Sequence, residues 1–317
     1  MNFVWQFLGL LLFPVNCSVC LSLSVCQEYE TTFTGQDNKS IRIRNNGDIT
    51  LVPVTIGTRT VSATTQILAP NQAAADAVVV QFYGDSSSFS LVFPWDFWNC
   101  PQQDVTATLL DSAVLIAPIL LQLESLSGNI VVGDFNRLRF NEAIMTSFNS
   151  KVTMGEITID GLLQIVTNNN EISLTDVQAT SSEVTNANAA IYLTSFSTEN
   201  SVITNLNAPV TGSVVTLLSS TNCKIVVSTT NAAIDLDTLT FPTTTPCQVE
   251  ITNTNGDVTV STSQFSGTYD LSAPGGEASV AGFTCATTSC SGNVPGAVAH
   301  SLIIKTTNHK ISLVFSS

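Results

Sequence analysis

The stretch VEITNTNGDVTV (249–260) decides the fold. Val249 and Ile251 alternate with polar residues before its centre, and Val258 and Val260 do so after it. Alternation of this kind puts apolar side chains on one face of a half-buried strand. The centre, Asn253-Thr254-Asn255-Gly256-Asp257, holds residues that tolerate the left-handed backbone of a sharp corner. The stretch reads as strand, corner, strand.

The same unit recurs as IRIRNNGDITL (41–51), QIVTNNNEISL (164–174), EVTNANAAIYL (183–193), LLSSTNCKIVV (217–227), YDLSAPGGEASV (269–280) and LIIKTTNHKISL (302–313). GNIVV (128–132) and GEITI (155–159) match its second half. In the second half of the chain the units return every ~15–20 residues, a spacing typical of solenoid rungs. Two architectures produce such a pattern. In a sandwich of hairpins, each Asn-Gly is a tight turn and its flanking strands pair with each other. In a β-solenoid, each strand pairs with its counterpart in the next rung. The corners vary (NNGD, TNNNE, NANAA, STNCK, NTNGD, APGGE, TTNHK), and stacked rungs tolerate that while the inward alternation holds. The expectation is an all-β, β-helix-like solenoid whose corner asparagines form hydrogen-bonded ladders between rungs.

Working outward from the repeats, residues 26–126 differ. They hold most of the aromatic and proline punctuation, including SFSLVFPWDFWNCP (88–101), and an apolar run, VTATLLDSAVLIAPILLQL (105–123). Pro118 argues against a long helix there. Buried strands are expected, with one short helix around 71–77. An open stack of rungs exposes a sheet edge, so this region is expected to cap the N-terminal end of a repeat domain at 127–317.

Residues 1–25 are set apart. FVWQFLGLLLFPV (3–15) is almost wholly apolar and no acidic residue precedes Glu28, which fits a secretory signal peptide. An uncleaved anchor is the alternative, and Pro14 and Asn16 interrupt it. The eight cysteines support export. Cleavage before Cys26 leaves six, an even set; cleavage after it leaves five. Cys285 and Cys290 bracket a short polar loop and are the first candidate pair. Cys223 with Cys247, and Cys26 with Cys100, follow by elimination. Asn38-Lys39-Ser40 is a candidate glycan acceptor.

The C-terminal part resembles the DUF4097-type family of β-repeat domains, which carries the name of adhesin. The likeness rests on NTNGDVTVSTSQFSGTYDLSAPGGEASVAG (253–282) and LIIKTTNHKISL (302–313). Gly267, Gly276 and Gly282 fill the glycine positions of the family phrase, and His309 stands where glycine is usual. The resemblance covers 125–317, with an echo at 41–51. It implies a solenoid-like fold and extracytoplasmic display, and brings no catalytic residues with it.

Composition narrows the function. Lys and Arg number 10 against 24 Asp and Glu, a formal net charge of −14. So little positive charge argues against a nucleic-acid partner. Charged residues are only 11%, and Ser, Thr and Asn take their place. The carboxylates Asp160, Asp176, Asp235, Asp237 and Asp257 are the candidates for hydrolytic chemistry. Asp235-Leu236-Asp237 puts two of them on one strand face, an arrangement open to acid–base work or calcium. Solvated strand-face residues are the simpler reading. The two histidines, His300 and His309, lie near the end without a nucleophile motif. No metal site and no cofactor are expected. The expectation is a secreted or cell-surface structural and adhesive protein, presenting Thr, Ser and Asn to carbohydrate or protein partners, with no membrane span after signal cleavage. The alternative is a carbohydrate-active enzyme, a lyase or hydrolase, on the same scaffold.

Overall fold

The computed structural model describes residues 25–33, 40–55, 61–69, 81–84, 88–92, 102–111, 119–220 and 223–316. The leader through residue 24, Asn38, Cys100 and the helix expected over 71–77 lie outside them. The described residues form strands and no helix, in one continuous sheet of 25 strands.

Pairing between rungs is parallel and in register, so the repeats are rungs of a solenoid. Strand Ile172–Asn186 shows the plan of one rung. Its first segment, Ile172 to Thr175, pairs with Ile191 to Thr194. Asp176 and Ser195 then turn the chain with positive φ angles of 54° and 58°. Val177 to Ala179 pairs with Phe196 to Thr198, and Ser181 to Asn186 pairs with Asn200 to Asn205. The chain then reaches the Asn corner and begins the next rung. Each rung is thus three short segments around a single core. Inward positions such as Ile172, Leu174, Val177, Ala179 and Val184 are buried, and they stack on Ile191, Leu193, Phe196, Thr198 and Ile203 of the next rung. Stacking of like on like buries both faces of every inner rung, which is where the apolar alternation places its free energy.

The strands on either side of an Asn corner do not pair with each other. Cys247–Asn253 pairs with Cys223–Thr229 and His300–Thr306, while Val258–Ser263 pairs with Ile234–Thr240 and Ile311–Ser316. This excludes the hairpin arrangement.

Rung order departs from chain order at both ends. Ser40–Asn45 and Ile49–Val54 lie between strands Ser88–Val92 and Gln102–Leu110 on one side, and Ile119–Ser125 and Ile130–Val132 on the other. The stack therefore runs across the division expected at 126, because the first repeat unit already belongs to it. At the other end, His300–Thr306 is inserted between Cys247–Asn253 and Gly267–Ser272, and Ile311–Ser316 between Val258–Ser263 and Ala278–Val280. Gly267 (φ 127°) permits this: an added Cβ would lie 2.1 Å from the His300 carbonyl oxygen.

Both ends finish in antiparallel strands. Val61–Ala69 pairs antiparallel with Gln102–Leu110, and Val25–Phe33 with Val61–Ala69. Ser289–Val294 pairs antiparallel with Gly267–Ser272. A change of strand direction ends the parallel template and blunts end-to-end addition of another stack.

Candidate functional site

The Asn corners carry two polar columns, which lie two residues apart from Ser147 onward. The first is buried and chemically mixed: Asn45, Ser125, Ser147, Thr167, Asn186, Asn205, Thr229, Asn253 and Thr306. These residues end the strand before the corner, where inward alternation continues but the corner backbone needs partners. Asn205 Nδ2 donates to the Ala189 carbonyl at 2.8 Å, and its Oδ1 accepts from the Ala208 N–H at 3.3 Å. Thr229 Oγ1 donates to the Ala232 carbonyl at 2.6 Å, and Thr167 Oγ1 to that of Asn170 at 2.8 Å. The column satisfies backbone groups that burial would otherwise orphan.

The second column is exposed and uniform. Asn169 Nδ2 donates to Asn149 Oδ1 at 2.7 Å, and Asn188 to Asn169 at 2.8 Å. Asn207 donates to Asn188 at 2.8 Å, Asn231 to Asn207 at 2.7 Å, Asn255 to Asn231 at 2.9 Å and Asn308 to Asn255 at 2.8 Å. This is the expected ladder, with all bonds running one way. The sequence steps between its members are 20, 19, 19, 24, 24 and 53 residues. An inner amide has two N–H groups and two acceptor sites, and the ladder uses one of each. One N–H and one acceptor site of each inner amide are left over from the ladder bonds.

Hydroxyls line the segments between corners. Thr185, Thr204, Ser228 and Thr252 are register neighbours on the segment before the corner. Ser197, Thr216, Thr240 and Ser263 follow one another on a second segment, where Thr240 Oγ1 and Ser263 Oγ lie 2.9 Å apart. The low charge and high Ser, Thr and Asn content are thereby placed on the outer surface.

The carboxylates are dispersed. Asp160 is bound by Arg139, whose Nε lies 3.0 Å from both carboxylate oxygens and whose pKa this hydrogen bonding raises. Asp176 is the turning residue of its rung. Asp257 accepts the Lys310 N–H at 3.0 Å and lies 3.4 Å from His309 Nδ1. Asp235 and Asp237 do share one outward face, flanking buried Leu236. Partial burial raises the Asp235 carboxyl above its usual range, and the Asp237 charge adds to this. Among the described residues no group of three His, Cys, Asp or Glu side chains is placed to hold a metal ion.

His300 is buried. Its Nδ1 accepts the Cys247 N–H at 3.1 Å, so Nε2 carries the proton, and the ring packs 4.8 Å from Phe241. Burial holds its pKa below the ordinary value, partly offset by the Pro242 carbonyl. Cys223 and Cys247 are register neighbours joined by a disulfide, and Cys285 is joined to Cys290. The Cys26 backbone lies opposite Leu68.

Two sequence readings need correction or addition. STNCK (220–224) reads in the sequence as a repeat corner, but Cys223 and Lys224 open the strand before the next corner, and the corner itself is TTNAA (229–233). The ladder also passes through SFNSK (147–151) and NLNAP (205–209), whose corners lack Asn-Gly. Tyr192, 40% exposed in an outward column otherwise rich in Ser and Thr, carried no sequence signal beyond its outward place in the alternation.

Residues 101–295 match the model of a family described as Toastrack DUF4097. No curated protein matches the chain in sequence. Solved structures similar to it include a candidate adhesin from Parabacteroides merdae, with 11% identity over 90% of this chain and 96% of that one and a TM-score of 0.44. A candidate adhesin from Bacteroides fragilis shows 11% identity over 90% and 97%, with a TM-score of 0.36. A candidate lipid-binding protein from Parabacteroides distasonis shows 10% identity over 90% and 96%, with a TM-score of 0.35.

Proposed function

The chain belongs to the Toastrack DUF4097 family, and on that premise we propose that it is a non-enzymatic protein of the cell surface or exterior that binds through its outer polar surface. The observation that carries this reading is the exposed Asn ladder, continuous from Asn149 to Asn308. A rigid line of amides, one per rung, offers repeated weak contacts whose combined strength grows with the length engaged. Dispersal of Asp160, Asp176 and Asp257 over separate rungs supports binding over hydrolysis, which needs two carboxyl groups facing one bond. The disulfides Cys223–Cys247 and Cys285–Cys290 support an oxidising compartment. Among the described residues no helix is long and apolar enough to cross a membrane. The partners of this reading are carbohydrate or surface proteins, and residues 1–25 act as the export signal.

The test is a binding assay of the secreted protein on a glycan array and on whole cells. Saturable binding that a ladder variant, Asn207→Ala, weakens is the expected result. Absence of binding to glycans and cells alike overturns the proposal. Mass spectrometry of the same sample fixes the mature N-terminus, the occupancy of Asn38 and the pairing of Cys26 with Cys100.

A further inference from the structure

Charge flanks the ladder at both ends and is absent from its middle. Lys151 pairs with Glu171 on one side, and Asp257, His309 and Lys310 crowd the other. Between them, the corners at 187–190, 206–209 and 230–233 contain no charged residue. Two positions after the amides stand Ala190, Pro209 and Ala233, half-buried or exposed, so the surface beside the ladder there carries short, apolar side chains. Across that strip stand Tyr192, Thr211 and Asp235, register neighbours on the same three rungs. Tyr192 is 40% exposed and Asp235 points outward with Asp237 behind it.

Building on the binding function proposed above, we infer that these three rungs form a shelf for a neutral, linear oligosaccharide lying along the solenoid axis. A sugar ring has an apolar C–H face and a hydroxyl edge. The Tyr192 ring, with Pro209 and the alanines, offers the apolar floor. The spare amide groups of Asn188, Asn207 and Asn231 supply donors and acceptors along one side, and Asp235 accepts from hydroxyls on the other. Rungs repeat every ~4.8 Å, so Tyr192 and Asp235 stand about 10 Å apart, the length of a short run of extended sugars. Acidic sugars are excluded by the Asp235 and Asp237 charges, and no cation on these corners offers them a partner.

The test is calorimetric titration of the whole secreted protein with cellohexaose, mannohexaose and chitohexaose. At least one binds saturably, Tyr192→Ala weakens it about tenfold, and Asp235→Asn about threefold. Thr268→Ala, exposed on strand Gly267–Ser272 away from the three rungs, leaves the affinity unchanged. Melting curves confirm that all three variants remain folded. Equal losses from Tyr192→Ala and Thr268→Ala overturn the shelf while leaving glycan binding in place. Binding to a Ser/Thr-rich peptide but to none of the three sugars overturns both the shelf and its ligand class, and leaves an adhesive protein. Binding on neither the array nor cells overturns the broader reading first, and the shelf with it.

Discussion

The two polar columns of the Asn corner share a backbone and differ in chemistry. The buried column mixes Asn, Ser and Thr, because each member serves backbone groups: Thr167 and Thr229 bond carbonyls of their own corner, whereas Asn205 reaches the Ala189 carbonyl of the preceding rung's corner. The exposed column is Asn in seven rungs, because each member's partner is another copy of itself. Only a side chain with both a donor and an acceptor at one length can be continued indefinitely in that way. Uniformity therefore marks self-pairing, and variety marks service to the backbone.

Asn205 and Asn207 sit on the same corner and break the comparison most directly. Asn205→Leu is nearly equal in size but strands the Ala189 carbonyl and the Ala208 N–H. A loss of about 3 kcal/mol is expected in denaturant unfolding, from two buried groups at roughly 1–3 kcal/mol each. Asn205→Thr keeps an oxygen for its own corner, as Thr229 does, and gives up only the bond to the Ala189 carbonyl, so a smaller loss of about 1–2 kcal/mol is expected. If both substitutions cost the same, the buried column is not serving the backbone.

Asn207→Asp comes next. The new side chain still accepts from Asn231 but, when ionised, cannot donate to Asn188 Oδ1. Facing an acceptor disfavours its charged form, so its folded-state pKa rises above the unfolded value of about 3.9. The destabilisation is then complete above the folded pKa and is relieved as pH falls toward the unfolded value. At neutral pH a cost of about 1–2 kcal/mol is expected from the lost bond and the misplaced charge. A pH-independent cost contradicts this account. Asn207→Ala removes two solvent-facing bonds, and a cost of about 1 kcal/mol at all pH values is expected in the same unfolding series.

The sequence made the rung legible wherever Asn-Gly stood between alternating strands, as in 41–51 and 249–260. It also placed Asp235 and Asp237 on one outward face, because a period of two needs no tertiary information. It hid the corners NLNAP and TTNAA, since alanine and proline there carry no turn signal stronger than that of the neighbouring loops. STNCK misled for the converse reason: its Cys223 and Lys224 open a strand, and the corner of that rung comes later, at 229–233. The insertion of 40–54 and 300–316 out of order was not legible at all. Each of those units alternates like its neighbours, and only pairing between distant segments decides which rung it touches. Tyr192 belongs to the same class, because an outward strand residue acquires meaning from the columns beside it.

The smallest effect at neutral pH concerns His300, a buried polar group that belongs to neither column. It begins an inserted strand and accepts the N–H of Cys247 in the neighbouring rung. Both columns are built from groups that do not titrate, so pH should leave them untouched, and His300 is the contrast. Its pKa lies below the ordinary value in the folded state because burial disfavours the imidazolium. The unfolded chain therefore binds the proton more readily. Above about pH 6.5 neither state is protonated and the residue contributes no pH dependence. Below that value stability falls as acid is added, until the folded pKa is reached. His300→Asn keeps an acceptor for the Cys247 N–H and removes the titration. Its unfolding free energy should therefore be flatter between pH 6.5 and the acid limb than that of the natural protein, whatever the change in absolute stability from lost packing on Phe241. Parallel pH profiles for the two proteins would place the acid sensitivity elsewhere in the fold.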